Sequence, residues 1–92
     1  MSNFRWGILG SGGIARKFAE DLAHLDGHEV AAVGSRSEES AANFAADFPG
    51  CVPFSSYEEL VAADVDAIYV ATPHPMHHAN ALLAMKAGKP VL

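Results

Sequence analysis

Gly10, Gly12 and Ala15 stand at the spacing G-x-G-x-x-A. The apolar run Phe4-Arg5-Trp6-Gly7-Ile8-Leu9 comes directly before them, and a segment of helical periodicity follows, with Ile14, Phe18 and Leu22 recurring every four residues and Ala15 and Ala19 beside them. Few folds bring a strand into a glycine turn and out again as a helix. The first small residue lets the turn close, the second lets backbone approach a pyrophosphate, and the third lets the helix pack closely on the strand, where alanine serves. The helix aims its free N–H groups and positive dipole end at the same turn. The spacing alone is weak, and the strand before and helix after it give it weight. Gly10, Ser11, Gly12, Gly13, Ile14 and Ala15 are therefore the expected cradle of a dinucleotide.

Strand and helix go on alternating to the end of the chain. The first helix is expected over 12–25, with its apolar face on Ile14, Phe18 and Leu22, and Asp26-Gly27 stopping it. Residues 29–34 are apolar without alternation, as in a strand covered on both faces. Ser37 is a good N-cap ahead of Glu38 and Glu39, and Ala41, Phe44, Ala45 and Phe48 mark the inward face of a helix closed by Pro49-Gly50. Pro53 makes 51–54 a weak edge strand. Ser56 and Glu59 have capping-box spacing and open a short helix to about 63. Residues 67–71 are the clearest buried strand, and 72–75 form a loop. A helix over 76–87 follows, with Pro75 at its first position and Gly88 as its cap. Residues 90–92 begin a fifth strand. The pattern is α/β, a Rossmann-type doubly wound parallel sheet with helices on both faces. Because an apolar strand is cut by the last residue, 1–92 reads as one incomplete domain, truncated or excised.

Ninety-two residues make one small domain. The net charge of -5 argues against nucleic acid as a partner, though not against a single nucleotide. The N-terminus lacks an apolar signal region and no run approaches the roughly 20 residues of a membrane helix, so a soluble cytoplasmic protein is expected. Cys51 is the one cysteine and has no evident chemical partner, so it reads as structural. G-K-[ST] and G-x-S-x-G are both missing.

An NAD site would place Asp or Glu at the end of the second strand to hold the ribose 2′-hydroxyl. This chain has Ser35, then Arg36 and Ser37. With no carboxylate to repel a 2′-phosphate and a guanidinium to pair with one, the site favours NADP. The plainer reading is a polar turn with an N-cap. Thr72 and Pro73 lie just past the fourth strand, where ligands of open α/β sheets bind, and both also suit a helix-starting loop. His74, His77 and His78 could share a helix face. No Cys or carboxylate joins them, so no metal is expected. They line a cofactor cleft, with one near the nicotinamide, or are surface histidines. His24 and His28 read as solvent-facing, and Lys89 as a surface lysine.

Together, the stretches 6–15, 35–37, 70–78 (Val-Ala-Thr-Pro-His-Pro-Met-His-His) and 87–92 (Ala-Gly-Lys-Pro-Val-Leu) resemble the N-terminal half of the glucose–fructose oxidoreductase / inositol dehydrogenase / MocA family, nearest its trans-dihydrodiol and NADP-xylose dehydrogenase branch. The resemblance spans the chain. It implies a two-domain NAD(P)-dependent oxidoreductase of sugars, polyols or diols. Gly10, Gly12 and Ala15 then match the pyrophosphate turn, and Ser35, Arg36 and Ser37 the adenosine ribose and 2′-phosphate contacts. Thr72, Pro73 and His77 match the segment nearing the nicotinamide ribose. The family's catalytic lysine, in Glu-Lys-Pro, falls beyond residue 92, as does the substrate domain, so these residues alone should be inactive and include no catalytic group.

A non-catalytic NAD(P)-binding sensor or regulatory module is the alternative. A methyltransferase-like nucleoside site is a third, weakened because Ser35 stands where such sites want an acid. Uncovered strand edges and apolar surface predict self-association of the isolated chain.

Overall fold

A computed structural model describes residues 4–72 and 74–92, with backbone alone at 74 and 75. The elements are β1 (Phe4–Leu9), α1 (Gly13–Ala23), β2 (His28–Gly34), α2 (Glu38–Ala46), β3 (Val52–Phe54), α3 (Tyr57–Val61), β4 (Ala67–Val70) and α4 (His74–Lys86). The four strands form one parallel sheet in the order β3-β2-β1-β4. β1 feeds β2 on one side and receives β4 on the other, so the winding reverses between β1 and β4, which sets a crevice at the carboxyl ends of those strands.

The expected edge position of β3 is found, with Pro53 inside a strand that pairs only with β2. Residues 90–92 lie parallel to β4 through one bridge, Ile68 with Val91. Ile68 N donates to Pro90 O at 2.9 Å and Leu92 N to Ile68 O at 2.9 Å. The fifth strand is thus present only as this short pairing.

Each face of the sheet carries two helices. α1 and α2 bury Ala15, Ala19, Leu22, Ala41 and Phe44 against Ile8, Val30 and Val33. α3 and α4 bury Leu60, Val61 and Ala84 against Leu9, Ala31, Ile68 and Val70. A fully buried side chain such as Phe44 or Leu60 contributes about 1.5–3 kcal/mol.

Several local expectations shift. Ile14 is 67% exposed rather than buried, because it faces the open cleft in front of the turn while Ala15 beside it takes the place against the sheet. The helix ends at Ala23, two residues early. Gly27 (φ +84°) belongs instead to the turn whose carbonyl accepts from Phe4 N at 2.7 Å. α4 begins at His74 instead of 76, because proline is tolerated anywhere in a first turn, where its missing N–H has no helical acceptor. At the far end Gly88 (φ +79°) closes α4: its N–H donates to Met85 O and that of Lys89 to Ala84 O.

His28 is half-buried, its Nδ1 accepting from Trp6 Nε1 at 3.1 Å, so it is not the solvent-facing residue expected; His24 is exposed. Lys89 is no free surface lysine either. Its Nζ donates to Val61 O at 2.8 Å and to Ala63 O at 2.9 Å, closing the carbonyl end of α3. Arg16 pairs with Asp47 at 2.6 Å and lies over the Phe44 ring.

Candidate functional site

The crevice at the carboxyl ends of the strands is a cleft of about 470 Å³. Its floor is the turn after β1. Gly10 has φ +103°, and a Cβ there would lie 3.1 Å from Ala71 C and O, so only glycine lets β1 and the end of β4 approach this closely. Gly10 N donates to Gly34 O at 2.8 Å and Ala71 N to Leu9 O at 2.8 Å, tying the ends of β1, β2 and β4 together.

A Cβ on Gly12 or Gly13 would meet nothing within 4 Å. The space in front of the turn is therefore open where backbone would face a ligand. Gly12 is the N-cap of α1 and offers no side-chain acceptor, which leaves the first helical N–H groups available. Ala15 is fully buried under the helix, the close packing its position requires. Ile14, exposed, forms an apolar wall of the same cleft.

Ser35 leaves β2 on the cleft and is only 8% exposed. Its Oγ accepts from Ser37 N at 3.2 Å and from Ser11 Oγ at 3.4 Å, which links the loop after β2 to the turn after β1. Ser37 caps α2, its Oγ accepting from Ser40 N at 3.2 Å, as the plainer reading of this loop holds. Between them Arg36 is exposed, and among the described residues its guanidinium has no ion-pair partner.

Thr72 closes the other side of the cleft and is 8% exposed. Its Oγ1 accepts from Asn80 Nδ2 at 2.8 Å, and Asn80 is 6% exposed within α4. Pro73 lies outside the described residues, as does the side chain of His74. His77 and His78 are exposed. Among the described residues no three His, Cys, Asp or Glu side chains gather as a metal site would need.

Two cleft features escaped the sequence reading. Tyr57, the first residue of α3, lines the cleft beside Ser35; only the crossing of α3 over β2 brings it there. Asn80 had a signal, a lone amide in the apolar stretch Ala79-Asn80-Ala81-Leu82-Leu83-Ala84. Cys51 packs in the core under α1 and α2, and burial pushes its thiol up to about 11, which suits its structural reading. Among the described residues no helix is long and apolar enough to cross a membrane.

Residues 4–92 match the family model GFO_IDH_MocA, described as an oxidoreductase family with an NAD-binding Rossmann fold. The chain is 43% identical over 101 residues to a D-xylose 1-dehydrogenase (NADP(+)) of Hypocrea jecorina, which covers 96% of this chain and 26% of that protein. It is 42% identical to a trans-1,2-dihydrobenzene-1,2-diol dehydrogenase of Mus musculus, over 96% of this chain and 27% of the relative. Among solved structures, a 3-ketoreductase from Actinomadura kijaniata in complex with NADP superposes with a TM-score of 0.90 at 35% identity, covering 99% of this chain and 29% of that one. The chain thus spans about a quarter of the length of the curated relatives it matches.

Proposed function

The chain belongs to the GFO_IDH_MocA oxidoreductase family and has its NAD-binding Rossmann fold, and from that premise we propose that it is the cofactor-binding part of an NADP-dependent dehydrogenase of a sugar, polyol or diol. The observation that carries the cofactor choice is the end of β2. There Ser35 faces the cleft, Arg36 stands exposed beside it, and no carboxylate occupies the position that would hold a 2′-hydroxyl. The Hypocrea jecorina and Bacillus subtilis relatives, a xylose and a scyllo-inositol dehydrogenase, both carry NADP(+) in their names, which supports the same choice.

The residues present fit a dinucleotide. The open space in front of Gly12 and Gly13 admits a pyrophosphate, which the N–H groups of the first turn of α1 would hold. Arg36 would pair with the 2′-phosphate, flanked by the Ser35 and Ser37 hydroxyls. Thr72, Pro73, His74 and His77 would border the nicotinamide ribose. The bound nicotinamide supplies hydride exchange with substrate. The residues of this chain bind and orient it, and proton transfer to substrate falls to the lysine expected beyond residue 92.

Calorimetric titration of the chain with NADPH and NADH tests this reading. NADPH should bind at least about tenfold more tightly, one charge-assisted contact's worth. Arg36→Ala should abolish the preference. Equal binding of both would leave a dinucleotide site and sink the 2′-phosphate reader. Binding of neither by a folded chain would sink the proposal.

A further inference from the structure

Asn80 is the one amide buried within α4, and it spends its nitrogen on a residue of the cleft rather than on its own helix. Its Nδ2 donates to Thr72 Oγ1 at 2.8 Å, with both residues under a tenth exposed. A hydroxyl carries one proton and two lone pairs. Asn80 occupies a lone pair, so the proton of Thr72 remains to be donated. Thr72 lines the cleft together with Gly10 and Gly12. We infer that Asn80 is a positioning residue that holds the Thr72 hydroxyl as a donor toward a phosphate or ribose oxygen of the nicotinamide half of the dinucleotide. This rests on the dinucleotide reading above.

The geometry favours this over a purely structural pair. Two buried polar groups that only satisfied each other could be replaced by an apolar pair of similar shape at little cost. A hydroxyl with one lone pair already taken is instead oriented in advance. Thr72 and Asn80 also sit eight residues apart at the junction of β4 and α4, so the bond fixes the segment between strand end and helix.

The test compares the unvaried chain with Thr72→Val, Asn80→Leu and the double variant. It reads thermal midpoints and affinities for NADPH and for 2′,5′-ADP, which has neither the pyrophosphate bridge nor the second ribose. Each single variant should weaken NADPH binding about tenfold, one hydrogen bond's worth, and leave 2′,5′-ADP binding unchanged. The double variant should regain most of the thermal midpoint, yet bind NADPH no better than Thr72→Val. Affinity that recovers together with the midpoint, NADPH binding by Asn80→Leu equal to that of the unvaried chain, or a parallel loss of 2′,5′-ADP binding would each overturn the inference. An unvaried chain that binds 2′,5′-ADP and NADPH equally would overturn it too. Failure of the unvaried chain to bind either ligand would remove the dinucleotide reading, and this inference with it.

Discussion

A Cβ on Gly34 would lie 2.6 Å from Leu60 Cβ and 2.9 Å from its Cγ. The end of β2 and the body of α3 therefore meet backbone against side chain, and that contact sets how low α3 sits over the sheet and brings Tyr57 to the cleft. Gly34→Ala is expected to cost about 2–3 kcal/mol, the upper part of the range for overpacking a core. Leu60→Ala in the same chain should not rescue it, because the Cβ that clashes remains. Urea unfolding midpoints of the two variants and the unvaried chain measure this, and a stable Gly34→Ala would mean that α3 can lift freely.

Ser35→Asp should invert the cofactor preference. It places a carboxylate at the end of β2, where it would bond ribose hydroxyls and repel a 2′-phosphate. NADPH affinity should fall at least about tenfold while NADH affinity holds or rises. Because Ser35 Oγ also accepts from Ser37 N, which a carboxylate oxygen can do equally well, the loop should keep its form. An unchanged NADPH-to-NADH ratio in titration would refute the assignment of this position.

Cys51 gives a pH prediction with a defined sign. Burial raises its thiol from 9.0 to about 11, so the folded chain holds its proton where the unfolded chain has lost it. Stability from this group is fully present below pH 9 and declines as pH rises from 9 toward 11, by about 3 kcal/mol in all. Cys51→Ala should flatten that part of the stability curve. The thiol should also resist iodoacetamide at pH 8 until urea unfolds the chain. Rapid alkylation of the folded chain would contradict its burial.

Lys89→Met retains the aliphatic stem and removes the charge that closes α3. Two carbonyls, of Val61 and Ala63, then lose their donor. The expected cost is about 1–2 kcal/mol, read as a lower thermal midpoint. Lys89→Arg should keep part of it. No change in Lys89→Met would show that water replaces the ammonium at no cost.

Features with local causes were legible in the amino-acid order. The glycine turn, the Ser37 and Ser56 caps, the Gly88 stop and the strand–helix alternation each depend on residues within a few positions of one another, so spacing alone revealed them. The parallel doubly wound class followed from that alternation. The remaining features depend on which elements became neighbours. The strand order β3-β2-β1-β4 put both Ala71 and Thr72 against Gly10. The cleft in front of the glycine turn left Ile14 exposed, which its helical period had assigned to the core. Lys89 found the end of α3 from 26 and 28 residues away. Asn80 reached Thr72 because α4 folds back along β4. Periodicity reports which face of an element is apolar. It carries no information on what lies opposite that face, and the cleft is built from such pairings.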